Sequence, residues 1–238
     1  MRRRPSGAIP RDTHTEWWWP PSPTIFRTTQ AGFTSFEHVV LPEIDPGQQR
    51  PVVMAHEFKL AGGDGGLFGL ETATGVGEGV AVKSAQFSII GALGADNGSA
   101  GTAGDGSPEW TCRIAYPWEA GRSYGMRLWS DEPGWWSAAV ADLAAGSNHL
   151  IGRIHVPPTW RQLAGWSVMA TRHLGGPVGR CDDLALCRVA FKEPTANDGQ
   201  IQPVRHENHL GPGTCENSRV DDVRGGVRHE IGGRSNGQ

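Results

Sequence analysis

Six side chains in this sequence pair chemical capability with a useful spacing: His56, Glu71, Arg113, Arg127, Trp129 and Trp136. Each falls in a short β-branched or aromatic run, where residues two apart share a face of a strand. In "WTCRIAY", Trp110, Cys112, Ile114 and Tyr116 share one face and Arg113 takes the other. In "SYGMRLW", Tyr124, Met126 and Leu128 share a face, leaving Arg127 and Trp129 opposite. An Arg-x-Trp pair beside Arg113 suits a polar sheet surface that binds sugar. The indole stacks on the apolar face of a pyranose, while guanidinium and carboxylate groups bond its hydroxyls. Glu71 is the expected carboxylate. Trp135 and Trp136 are neighbours and so point to opposite faces, which makes Trp136 a second candidate for stacking. Packing beneath a loop is the competing reading of Trp129. His56 lies in phase with Val52, Met54, Phe58 and Leu60. On such an apolar face a hydrogen-bonded core histidine is commoner than a cleft residue, and both readings stand.

Other chemistries find weaker support. "GGDGGLFGLETATGVGEGV" (62–80) has the glycine content of a phosphate loop. It has no Gly-Lys-Ser/Thr, however, and no helix pattern follows it. It reads as turn, strand and turn, with Gly69 inside the strand where a neighbour approaches closely and Gly75, Gly77 and Gly79 in the second turn. A retaining glycosidase needs two carboxylates about 5–5.5 Å apart, and no strand offers that spacing. "HENH" (206–209) and His229 lack the His-Glu-x-x-His helix of a zinc protease. No cofactor is expected beyond a structural calcium, for which Asp96, Asn97, Asp105, Asp182 and Asp183 are the oxygen donors. There is no Gly-x-Ser-x-Gly elbow.

The elements that must position these groups are strands. Gly (34) and Pro (17) make the 238-residue chain turn-rich, and ten tryptophans rule out a disordered one. Ten strands are expected near 34–42, 51–60, 66–73, 82–92, 110–118, 123–130, 135–143, 149–156, 165–174 and 184–192. Alanines in 135–150 also fit a helix, although the run begins with strand alternation. Residues 94–109 read as a long surface loop. Without helical periods between them, ten strands imply an all-β fold, a jelly-roll-like sandwich of two antiparallel sheets. The division expected is an N-terminal tail (1–23), a sandwich domain (24–192) and a C-terminal extension (193–238) tethered through Cys215. "WWW" (17–19) would anchor the N-terminal tail to the body.

A net charge of −3 argues against nucleic acid as a partner, and no run of about eighteen apolar residues exists to span a membrane. Four cysteines (Cys112, Cys181, Cys187, Cys215) allow three connectivities if they form two bonds. A disulfide would imply an oxidising compartment, yet the basic start lacks the apolar stretch of a secretory signal.

The segments "GGLFGLET", "AQFSIIGA", "CRIAYPWEAGRSYGMRLW" and "WWSAAVADLAAGSNHLIGRI", in this order, resemble the domain of unknown function 3472 family. The strongest part is "YPWEAGRSY", with Tyr116, Trp118, Gly121 and Tyr124; "FSIIG" lacks the usual tryptophan after Phe87 and Ser88. The resemblance implies a concanavalin A-like or laminin G-like sandwich, often in secreted bacterial proteins, and carries no catalytic residues. The function expected from these readings is a non-catalytic binding or accessory module for a polysaccharide or cell-surface glycan. A glycan lyase or hydrolase on the same sandwich, or a purely structural domain, are the alternatives.

Overall fold

The computed structural model describes residues 12–20, 32–47, 51–74, 82–103, 106–174, 180–211, 215 and 217–233. Its strands are β1 (Asp12–Trp18), β2 (Ser35–Ile44), β3 (Val52–Leu60), β4 (Gly65–Thr74), β5 (Val82–Ile90) and β6 (Gly94–Asp96). They continue as β7 (Ser99–Thr102), β8 (Pro108–Ala115), β9 (Tyr124–Glu132), β10 (Trp135–Asp142), β11 (Ser147–His155) and β12 (Leu163–His173). The last are β13 (Cys187–Lys192), β14 (Thr195–Ala196), β15 (Arg205–Leu210), β16 (Arg219–Val223) and β17 (Gly226–Ile231).

Two antiparallel sheets form a sandwich. The eight-stranded sheet runs β15-β1-β12-β3-β4-β5-β8-β7, and the nine-stranded sheet runs β16-β17-β13-β2-β9-β10-β11-β6, with β14 on β2. All ten expected strands are present. The alanine-rich window forms the β10–β11 hairpin, because Trp136, Ala138 and Val140 alternate into the core as a strand requires.

The ends of the chain differ from expectation. Residues 12–18, expected in a tail, form an inner strand between β12 and β15. Trp17 and Trp19 are buried, so the anchoring role read for "WWW" is met from within a sheet. The C-terminal segment supplies β15 to one sheet and β16–β17 to the other. Residues 94–102, expected in a loop, pair as β6 and β7 at sheet edges. Short glycine-rich edge strands leave little hydrophobic periodicity to detect. The turn at Gly75–Gly79 and Asp105 lie outside the described residues.

Inward-facing aromatic residues fill the space between the sheets, with Trp17, Trp118, Trp136, Tyr124, Phe36, Phe68, Phe87 and Phe191 fully buried. Two site expectations end here. Trp136 is 0% exposed and its indole N–H donates to the Trp160 carbonyl at 2.9 Å, so it has no free face for a sugar. His56 is also 0% exposed, stacked on Phe36 (centroids 5.3 Å apart) and edge-on to His38 (5.0 Å). Neither ring nitrogen of His56 or His38 has a hydrogen-bond partner among the described residues. Desolvation therefore holds both imidazoles neutral: His38 is lowered to about 3, and His56, next to it, falls well below the ordinary histidine range. His229 is also lowered to about 3 by burial, but it joins the sheets by hydrogen bonds with Thr15 Oγ1 (2.9 Å) and Thr171 Oγ1 (3.2 Å).

"YPWEAGRSY" carries the chain from one sheet to the other. The Trp118 indole donates to the Glu71 carbonyl (3.1 Å), the Glu119 N–H donates to the Tyr124 hydroxyl (2.7 Å), and Gly121 turns the chain at φ 84°. A disulfide joins Cys181 and Cys215, whereas Cys112 and Cys187 are buried free thiols. Among the described residues no helix is long and apolar enough to cross a membrane.

Candidate active site

The crossing at 116–123 separates residues that parity alone would group. Arg113 is on β8 of the eight-stranded sheet; Arg127 and Trp129 are on β9 of the nine-stranded sheet. With Trp136 and His56 in the core, the six expected residues fall in three places, and no single sugar site assembles from them. Glu71 and Arg113 do meet, on the outer face of the eight-stranded sheet.

On that face Gly69 of β4 stands opposite Ala55 on one side and Gln86 on the other, and Gln86 stands opposite Arg113. A Cβ on Gly69 would lie 2.3 Å from the Met54 carbonyl oxygen and 2.6 Å from the Ala55 Cα, so the strands could not pack this closely around a larger residue. Glu71 lies two residues along β4 from Gly69, diagonally across from Gln86. Such diagonal pairs have Cα atoms about 7–8 Å apart, within reach of long side chains. Arg113 joins them: its Nη2 donates to Gln86 Oε1 at 2.9 Å and lies 3.2 Å from Glu71 Oε2.

The bond to Arg113 occupies the carbonyl end of the Gln86 amide and orients its NH2 group away from the guanidinium. The Glu71 side chain is 3% exposed, against 31% for Arg113. Desolvation raises the Glu71 carboxyl above its ordinary range, and the Arg113 charge and hydrogen bond only partly offset this. Across the sheet, a cavity of about 320 Å³ is lined by Glu57, Leu67, Ser88, Trp166 and Arg172, among others. Leu67 and Ser88 are each two residues from Gly69 and Gln86 on their strands, so cavity and charged cluster adjoin. Glu57 and Arg172 form an ion pair at its wall.

The nine-stranded sheet has a larger, more apolar cavity of about 450 Å³ on its outer face, over Val39, Gly125, Ala139 and Ala141. Arg127 and Trp129 line it, with the guanidinium 5.3 Å from the indole centroid. Arg127 is already engaged by Asp198 Oδ1 (2.6 Å) and Glu37 Oε1 (3.5 Å). Desolvation also raises Glu37, against a hydrogen bond from Ser35 and the Arg127 charge.

Gln86, Glu57, Arg172 and Trp166 were not among the residues singled out from the sequence. The signal for Gln86 was present: in "AQFSII" the polar Gln86 and Ser88 alternate with buried Ala85, Phe87 and Ile89. Nothing local, however, places that strand beside Glu71 and Arg113.

No family model matches the chain, and no curated protein does. Solved structures do. A scytalido-glutamic peptidase with a transition state analog inhibitor superimposes with a TM-score of 0.56 at 9% identity, over 94% of this chain and 99% of that one. The same peptidase with a peptide-based transition state analog gives 0.53 at 10% identity, with the same coverage. SCP-B, a member of the eqolisin family of peptidases, in complex with the tripeptide Ala-Ile-His, gives 0.53 at 9% identity, also over 94% and 99%. At such identities the likeness shows the fold, a two-sheet sandwich shared over nearly the whole chain. It corrects the expectation of a non-catalytic glycan-binding or accessory module, because these three solved sandwiches are peptidases.

Proposed function

We propose that the chain hydrolyses peptide bonds on the outer face of its eight-stranded sheet, with Glu71 as the acid–base residue. The observation that carries this reading is a desolvated glutamate with a raised pKa, held by one guanidinium beside a glutamine amide. The likeness to a glutamic peptidase supports it. The ionised Glu71 carboxylate takes a proton from water as the water oxygen attacks the peptide carbonyl carbon. Negative charge develops on the carbonyl oxygen, to which the Gln86 NH2 group donates a hydrogen bond while the nearby Arg113 charge stabilises it. Glu71 then returns the proton to the leaving nitrogen and the C–N bond breaks, giving a carboxylic acid and an amine. Arg113, the most exposed of the three, meets the substrate first. The adjoining cavity, with Leu67 and Trp166 in its walls, takes an apolar side chain. The disulfide supports an oxidising, extracellular setting for this activity.

The test is digestion of an unfolded protein, with new termini identified by mass spectrometry. Cleavage by the purified chain, and none by Glu71→Gln folded to the same extent, is expected. The absence of cleavage from pH 4 to 8, or equal cleavage by both, overturns the reading.

A further inference from the structure

At the far edge of the same outer face, His14 and Glu16 lie two residues apart on β1, so both side chains project outward. His209 on β15 stands directly opposite His14. The two imidazoles stack with centroids 5.0 Å apart and planes 19° from parallel. One ligand atom from each of His14, Glu16 and His209 falls within 4.8 Å of the others, and His14 Nε2 to Glu16 Oε1 is 3.9 Å. From these residues we infer a metal-binding site for zinc or a similar borderline divalent cation, joining β1 to β15.

The Trp166 indole N–H donates to Glu16 Oε2 (3.3 Å), which fixes the carboxylate with its other oxygen toward His14; metal ligands are commonly oriented through such outer partners. His209 Nε2 is a buried nitrogen with no hydrogen-bond donor or acceptor in reach among the described residues. It lies 3.9 Å from Glu207 Oε2, and Glu207 stands opposite Glu16 in register, which makes it available as a fourth ligand. Two imidazoles and a carboxylate form a set that zinc accepts, whereas calcium and magnesium prefer all-oxygen sites. At Zn–N distances of about 2.0–2.1 Å, tetrahedral ligand atoms are roughly 3.4 Å apart. Small side-chain rotations close the gap from the present spacing. All three residues are half-buried, so an ion and a water can enter.

The site is distant from the Glu71, Gln86 and Arg113 cluster, although Trp166 both bonds Glu16 and lines the cavity that adjoins that cluster. His14, Ala170, Ala55, Gly69 and Gln86 form one cross-strand row. Four strand spacings of about 4.8 Å put His14 roughly 19 Å from Gln86. A bound ion would clamp the edge strand β15 onto the sheet.

Isothermal titration of chelator-treated protein with zinc chloride tests this inference whether or not any peptide is cleaved. One zinc per chain is expected, with Kd weakened at least about 100-fold by His14→Ala or His209→Ala, since losing a ligand should cost more than the roughly 10–100-fold that losing a ligand's outer partner costs. His206→Ala should bind as the wild type does, because His206 turns inward to Asp222 (2.9 Å) and Trp17. If His14→Ala fails to fold, Glu16→Gln serves in its place, and the visible absorption of bound cobalt reports coordination by the native chain. The absence of zinc binding by the wild type, or binding by the His14 and His209 variants as tight as its own, overturns the inference.

Discussion

The two outer faces of the sandwich carry similar parts arranged differently. Each has a glutamate raised by desolvation, an arginine beside it and a cavity nearby. On the nine-stranded sheet the cavity is larger, but Arg127 is half exposed, divided between Asp198 and Glu37, and close to Trp129. On the eight-stranded sheet the cavity is smaller, while Glu71 is almost fully buried and shares its arginine with an amide rather than a second carboxylate. The larger cavity is therefore not the better chemical site. Acid–base work depends on a desolvated carboxylate with a positioned donor beside it.

The largest contrast expected is catalytic. Glu71→Gln should lower peptide cleavage by about 10²–10⁴, the usual contribution of a general acid–base group, while Glu37→Gln leaves it unchanged. At neutral pH Glu71→Gln should be at least as stable as the wild type. A raised folded-state pKa means that ionising Glu71 disfavours the fold above the unfolded value near 4.5. Thermal melts of the two proteins check this.

The core limits the pH range over which the faces can be compared. His38, His56 and His229 are held neutral, so below about pH 6.5 the unfolded chain binds protons that the folded chain does not. Their contribution to stability is complete above that value and falls as pH drops toward about 3, the folded value for His38 and His229. Each histidine contributes a slope of up to about 1.4 kcal/mol per pH unit. Urea midpoints measured from pH 7 to 4 should fall continuously; a flat profile would contradict the burial of these rings.

Backbone packing gives a smaller contrast. Gly69→Ala should cost about 1–3 kcal/mol, because the new Cβ meets backbone of β3. Gly125→Ala, on the other face, places its Cβ 3.2 Å from Cδ2 of the exposed Leu143, which can yield. Its effect should stay within about 0.5 kcal/mol. Denaturant titration of both variants measures the difference, and equal costs would remove it. Smallest of all, Glu57→Gln should raise KM for peptides about fivefold, the equivalent of ~1 kcal/mol, while Arg127→Ala leaves KM unchanged.

The fold was legible in the sequence where strands alternate strongly, as in Val52–Leu60 and Tyr124–Glu132. Parity also assigned the right sides to Arg113, Arg127 and the core residues facing away from them. What it could not supply was sheet membership. The eight residues between β8 and β9 carry the chain from one sheet to the other, so two arginines that look adjacent in sequence lie on opposite outer faces. The strands at the chain ends were hidden because β15 ("RHENHL") has no apolar alternation and is held by pairing with β1. Glu71, the carboxylate expected in a sugar site, is closed in against Arg113.

The most direct test of this account is cleavage of one peptide library by wild type, Glu71→Gln and Glu37→Gln, at neutral pH and with matched melting temperatures. The wild type and Glu37→Gln are expected to cleave alike, and Glu71→Gln to be at least about 100-fold slower. If Glu71→Gln cleaves as fast as the wild type, or if the loss follows Glu37→Gln instead, the site is not on the eight-stranded sheet.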